Sequence, residues 1–100
     1  MVTPIPVLLF EDDEGQALLT KEALEKDGFV VDVCRSGREG LDRLVNKDYH
    51  VYLIDMQLPD LRGIEVLRRI KMIKPGAIAI IVTGFMIGPR NRKPPETENA

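Results

Sequence analysis

Tryptophan is absent, and cysteine and histidine occur once each, as Cys34 and His50. One cysteine excludes an internal disulfide framework and suits a reducing cytosol; Cys34 reads as a small apolar filler. One imidazole without partners reads as a surface or strand-edge residue rather than a ligand. Charge of one sign is not in excess: 14 Lys plus Arg face 16 Asp plus Glu, a net charge of −2. That balance argues against wholesale binding to nucleic acid or anionic membranes. No apolar run approaches the length of a membrane span. Met1-Val2-Thr3-Pro4 has neither a basic region nor a long apolar stretch, so no signal peptide is expected and the location reads as cytoplasmic. P-loop, GxGxxG and CxxC motifs, internal repeats and low-complexity tracts are all missing.

What remains is a chain of 100 residues, 44% hydrophobic and 30% charged, enough for one domain with one core. It alternates cleanly. Ile5 to Phe10 is a nearly continuous apolar run that reads as a strand covered on both faces. Asp13 and Gln16 are spaced as a capping box before a helix whose stripe is Ala17, Leu19, Thr20, Ala23 and Leu24, with Gly28 as its stop. Phe29, Val31 and Val33 alternate with Val30 and Asp32, as in a half-exposed edge strand. Ser36 and Glu39 form a second capping box before Leu41, Leu44 and Val45. Val51 to Ile54 reads as a buried strand. Ile64, Leu67, Ile70 and Ile73 step down a third helix that Pro75-Gly76 ends. Ile78 to Val82 is a fourth strand. This βαβαβαβ order predicts an α/β fold, a doubly wound parallel sheet with helices on both faces. Residues 1–83 form the domain. Residues 84–100 hold three of the seven prolines and little apolar periodicity, and read as an irregular or disordered tail.

In an open parallel sheet, ligands bind beyond the carboxyl ends of the strands. Three features fall there: Glu11-Asp12-Asp13 after the first strand, Asp55 after the third and Thr83 after the fourth. Clustered carboxylates repel unless a cation is present. Magnesium suits them, since it takes oxygen ligands and commonly uses one or two carboxylates plus a phosphate oxygen. An aspartate beside such an ion can attack phosphorus to give an acyl phosphate, with a hydroxyl such as that of Thr83 bonding the new phosphate. Each residue also has a plainer reading. Asp13 is a helix cap, Asp55 and Thr83 are turn residues, and Arg68, Arg69 and Lys71 are a solvated helix face. Arg90, Arg92 and Lys93 form a short basic patch followed at once by acids, so nucleic-acid contact is not expected. Only the combination at three strand ends favours a site.

These motifs resemble a response-regulator receiver domain, the phosphoacceptor half of two-component signalling. The likeness runs from about Val7 to Thr83. VLLF before Glu11-Asp12 resembles the family's acidic pair. LIDMQLPDLRGIEVL resembles the stretch around its phosphorylated aspartate, with Pro59 four and Gly63 eight residues after Asp55. IIVTG resembles the strand ending in its switch hydroxyl. The resemblance implies a flavodoxin/CheY-like sheet of strand order 2-1-3-4-5, with Asp55 as phosphoacceptor and Thr83 contacting the phosphate. It implies Mg2+ held by Glu11, Asp12, Asp55 and the backbone carbonyl of Gln57. Its implied partner is a histidine kinase or phosphotransfer protein, and its only catalysis is of its own phosphorylation and dephosphorylation.

The pattern departs from the family after the fourth strand, where a further helix, a fifth strand ending in lysine, and a last helix are expected. Lys93-Pro94 mimics that lysine–proline pair but comes ten residues after Thr83 with no apolar strand before it. The chain therefore reads as a receiver truncated after the fourth strand. A homodimer or larger oligomer through the bare fourth strand follows, with Leu19 and Ala23 of the first helix uncovered and Phe85 to Ile87 available for exchange between chains. Phosphorylation is expected to couple poorly to conformational change. The alternative function is a non-switching remnant that serves as a protein-binding or assembly module. A dehalogenase-type phosphatase is disfavoured, because Gln57 stands where that chemistry wants a second acid.

Overall fold

The computed structural model describes residues 3–82. Thr83, Lys93, the Phe85 to Ile87 segment and the tail expected over 84–100 lie outside the described residues. Seven elements follow in strict alternation: β1 (Ile5–Phe10), α1 (Glu14–Lys26), β2 (Phe29–Cys34), α2 (Gly37–Asn46), β3 (Val51–Asp55), α3 (Gly63–Ile73) and β4 (Ile78–Val82). The strands form one parallel sheet in the order β2-β1-β3-β4. As expected from its alternation, β2 is an edge strand. β1 is central, and Val7 through Phe10 are all buried, which explains its continuous apolar run.

Strand alternation divides the interior into two. Leu8, Phe10, Tyr52 and Ile54 point to the side of α2 and α3, where Leu44, Val66 and Ile70 meet them in the larger core. Val7, Leu9 and Val31 point the other way, against Ala17 of α1. α2 lies close to the sheet because Gly40 has no side chain: a Cβ there would stand 2.0 Å from the Phe10 ring and 2.6 Å from Cys34 Sγ. Cys34 is fully buried beside it, and burial pushes its thiol up to about 12, in keeping with a packing role.

The caps act where the sequence puts them. Asp13 Oδ1 accepts from the Gln16 N–H at 2.9 Å, and Ser36 Oγ accepts from the Glu39 N–H at 3.1 Å. Gly28, at φ 96°, takes the left-handed turn after α1 that a side chain resists.

Three helix stripes differ from expectation. In α3 the buried residues are Gly63, Val66 and Ile70, with Leu67 beside them, while Ile64 and Ile73 are exposed. A strict three-residue step loses roughly 60° per step around a helix of 3.6 residues per turn, so Ile64 and Ile73 end on opposite sides. In α2, Val45 is exposed because the inward face runs through Gly37, Gly40 and Leu44. In α1, Gln16, Ala17 and Thr20 are buried, while Leu19 and Ala23, read as part of the stripe but also as left uncovered in a truncated receiver, are exposed. His50 and the Arg68, Arg69 and Lys71 face are exposed, as read from sequence.

Candidate functional site

The carboxyl ends of β1 and β3 lie side by side, since Phe10 is registered with Ile54. Alternation then carries Glu11 and Asp55 onto the same side as Leu9 and Leu53, at the rim of the α1 face. The Glu11 N–H donates to the Cys34 carbonyl at 2.9 Å, extending the β1–β2 pairing by one residue and fixing Glu11 at that rim. Its Oε2 accepts from the Asp13 N–H at 3.1 Å across the turn into α1. Asp55 closes β3 and is only 4% exposed.

Glu11, Asp12 and Asp55 each present a carboxylate oxygen, and these oxygens lie within 4.8 Å of one another. Glu11 and Asp55 are buried and Asp12 is exposed, so the cluster is open on one side. Asp13 stands apart from it as the α1 cap, in line with its plainer sequence reading. Buried like charges at this spacing favour a bound cation. Magnesium takes oxygens at about 2.0–2.1 Å, so two oxygens in one shell stand up to about 4.2 Å apart. The donor set fits a hard divalent ion with small side-chain adjustments.

The loop from Met56 to Arg62 folds back on Asp55. Gly63 makes this possible, because a Cβ there would come within 2.6 Å of the Asp55 carbonyl oxygen. The Gly63 N–H donates to Met56 O at 2.8 Å, and Gln57 pairs with Arg62 in an antiparallel bridge. Gln57 thus opens a closed loop two residues beyond Asp55, at the cluster's edge. β4 ends at Val82, registered with Asp55, so the hydroxyl expected at Thr83 is next in sequence but lies outside the described residues.

Two features had escaped the sequence reading. Asp60, in the same loop, accepts from the Gly37 N–H at 2.8 Å and the Arg38 N–H at 2.9 Å at the start of α2. Burial pushes its pKa up, but backbone hydrogen bonds from Arg38 and Gly37, and from Asp60 and Leu61 in its own loop, together outweigh this and hold it below the ordinary carboxylate value. Asp32 on β2 accepts from Tyr49 Oη at 2.7 Å and from Lys47 Nζ at 2.8 Å. Both partnerships join residues at least 15 positions apart, so no local pattern marks them.

Residues 7–87 match the family model described as the response regulator receiver domain. The chain belongs to the response regulator receiver family. Receiver domains serve two-component signalling, and their interaction partners are histidine kinases or phosphotransfer proteins. They are not enzymes in the ordinary sense. The chain is 38% identical over 78 residues to the cell cycle transcriptional regulator CtrA of Caulobacter vibrioides, a match covering 78% of this chain and 34% of that protein. It is 32% identical over 75 residues to the response regulator ArlR of Staphylococcus epidermidis, covering 75% of this chain and 34% of that one. The chain therefore spans about a third of the length of these curated relatives.

Among solved structures, a CheY-like receiver domain from Methanospirillum hungatei JF-1 superposes with a TM-score of 0.78 at 33% identity, covering 82% of this chain and 66% of that one. The response regulator TrrA of Thermotoga maritima, solved in complex with Mg(2+)-BeF, gives a TM-score of 0.78 at 27% identity, covering 81% and 70%. The receiver fold expected from the motifs is thus the fold found. Among the described residues, no helix is long and apolar enough to cross a membrane.

Proposed function

We infer that this receiver accepts a phosphoryl group on Asp55 from a histidine kinase or phosphotransfer protein, in a magnesium-dependent reaction in the cytoplasm. The reading is carried by the meeting of the Glu11, Asp12 and Asp55 carboxylates within 4.8 Å at the strand-end rim. Asp12 and Asp55 would hold the ion directly, Glu11 through water, and the Gln57 backbone carbonyl would complete the protein's share. When bound, magnesium supplies positive charge against the phosphoryl oxygens.

One Asp55 carboxylate oxygen forms the new O–P bond as the donor's N–P bond breaks. The electron pair leaves on the imidazole nitrogen, which takes up a proton. The burial of Asp55 keeps bulk water back while the exposed Asp12 side leaves an approach for the donor. The Thr83 hydroxyl would bond the new phosphate.

The test is incubation with acetyl phosphate and magnesium, read by intact mass. One added phosphoryl group is expected in the wild-type chain, loss of it in Asp55→Asn, and weaker magnesium binding together with weaker phosphorylation in Asp12→Ala. A wild-type chain that stays unmodified would favour the non-switching binding module instead.

The same reading has two copies meeting through β4. That strand is the sheet's edge among the described residues, and Ile78 and Ile80 are 56% and 46% exposed. Light scattering at micromolar concentration is expected to give the mass of two chains, and Ile80→Lys the mass of one.

A further inference from the structure

We propose that Asp60 is a positioning residue for the phosphoacceptor site, one that sets metal affinity by tying the Asp55 loop to α2. The inference rests on the phosphoacceptor reading above. The loop between Asp55 and Gly63 is closed locally by two backbone bonds, Gly63 N–H to Met56 O at 2.8 Å and Leu58 N–H to Leu61 O at 3.3 Å. These bonds fix its shape but not its place on the molecule. Leu58 and Leu61 pack it against the core, and Asp60 ties its crown to α2, its two carboxylate oxygens taking one amide each from Gly37 and Arg38.

Those amides belong to the first turn of α2, where N–H groups have no partner within the helix. A carboxylate is the strongest acceptor available for them, and the helix dipole adds to the attraction. Leu61 adds a packed contact beside it: a Cβ on Gly37 would stand 2.8 Å from Leu61 Cδ1. The loop is thus held at one end by the Asp55 backbone and at its crown by α2. Gln57 lies between these two fixed points. Neither metal nor phosphate is within the role of Asp60, so it acts only through where it holds the loop. Groups that orient a metal's ligands from outside the coordination shell commonly change affinity by about 10–100-fold when removed.

The test compares three variants of the full chain. Magnesium titration is followed through backbone amide NMR, and phosphorylation by acetyl phosphate through intact mass. Asp60→Ala is expected to weaken magnesium binding about tenfold. Phosphorylation should slow at low magnesium and recover toward wild type at saturating magnesium. Asp60→Asn keeps one acceptor oxygen and should fall between. Ser36→Ala removes the other cap of α2, the hydroxyl that accepts from the Glu39 N–H. It loosens the same helix without touching the loop, and should leave magnesium affinity unchanged.

Equal magnesium affinity in Asp60→Ala and wild type overturns the proposal. So does an equal loss in Asp60→Ala and Ser36→Ala, since that would make Asp60 merely a helix cap. If Asp60→Ala fails to fold, Asp60→Asn decides by the same criterion. A wild-type chain that binds no magnesium and takes no phosphoryl group overturns the phosphoacceptor reading, and this inference with it. A wild type that does both, beside unaffected Asp60 variants, overturns this inference alone.

Discussion

The two faces of the sheet are built to different degrees of completion. On the α2 and α3 face, Leu8, Phe10, Tyr52 and Ile54 are wholly buried, and two helices cover them. On the α1 face, Val7, Leu9 and Val31 are covered at the β2–β1 side, but Val51 and Leu53 are half-buried and Ile78 and Ile80 exposed. The same apolar residue types occur on both. What differs among the described residues is the number of helices that cover them, one against two. The acids sit at the rim of the less covered face, where Glu11 and Asp55 continue the alternation of Leu9 and Leu53. Stability is therefore concentrated on one side of the sheet and chemistry at the edge of the other. Changes at the acid rim are expected to leave the main core intact.

The largest effect on stability follows from this contrast. Phe10→Ala empties the centre of the covered face, where the ring touches both Gly40 and the buried core, and is expected to cost about 3–5 kcal/mol. Ile54→Ala on that face should cost about 2–5 kcal/mol. Ile80→Ala, on the open face, should cost about 1 kcal/mol or less, because much of its side chain is already in water. Chemical denaturation of the three variants checks the ordering. Equal losses at Ile54 and Ile80 would show that the open face is covered in solution.

The same contrast explains what was legible in the sequence. β1 and β4 have the bounds read from their apolar runs, because strand ends are marked by Glu11 at one and by Gly76 and Ala77 at the other. The α1 and α2 starts were legible because a cap writes itself into three or four adjacent residues, as at Asp13 and Ser36. The acid set was legible because each member follows an apolar run, and the parallel topology then gathers strand ends without further information. Helix faces were less so. The Ile64 to Ile73 ladder counts apolar residues without knowing which side the sheet lies on, and only packing selected Val66 and Ile70. Asp60 and Asp32 were illegible altogether. Their partners lie 22 to 23 and 15 to 17 residues away, and an acid beside a proline or within an edge strand has an ordinary local reading.

Within the covered face one residue is expected to behave in the opposite sense. Tyr52 is fully buried, and its hydroxyl meets only the Tyr49 backbone, short of good hydrogen-bond geometry. Its ring stands edge-on to Tyr49, with centroids 5.8 Å apart, so the ring itself is well placed. A buried polar group that is poorly paired costs part of the roughly 1–3 kcal/mol that an unpaired one costs. Tyr52→Phe keeps the ring and removes that cost, and is expected to stabilise the domain by up to roughly 1 kcal/mol. A destabilised Tyr52→Phe in denaturant titration would mean that the hydroxyl is satisfied in solution, and that the covered face is wetter than its packing indicates.

The smallest effect concerns the flank of that face, where β2 meets the end of α2. Hydrogen bonds from Lys47 and Tyr49 hold the Asp32 carboxyl below its ordinary value of 3.8, against the opposing push of burial. A depressed folded-state pKa contributes stability that is fully present above the unfolded value. That contribution is lost as pH falls through the folded value, here below 3.8. Tyr49 runs the other way. Burial first, and then its bond to Asp32, push its phenol from 10.0 up to about 12. A raised folded-state value contributes stability below pH 10.0 that is lost as pH rises toward about 12. The network is thus strongest across the middle of the range and weakens at both ends. Its cationic partners, Lys47 and Arg43, are 55% and 42% exposed, so solvent screening keeps its contribution to about 1 kcal/mol or less. Asp32→Asn should lower Tm at neutral pH by no more than about 5 °C. The gap from wild type should narrow below pH 3.8 as the wild-type carboxylate takes up its proton. A gap that stays constant from neutral pH to pH 3.8 and below would show that Asp32 acts by shape alone, and that its charge contributes nothing to holding β2 against α2.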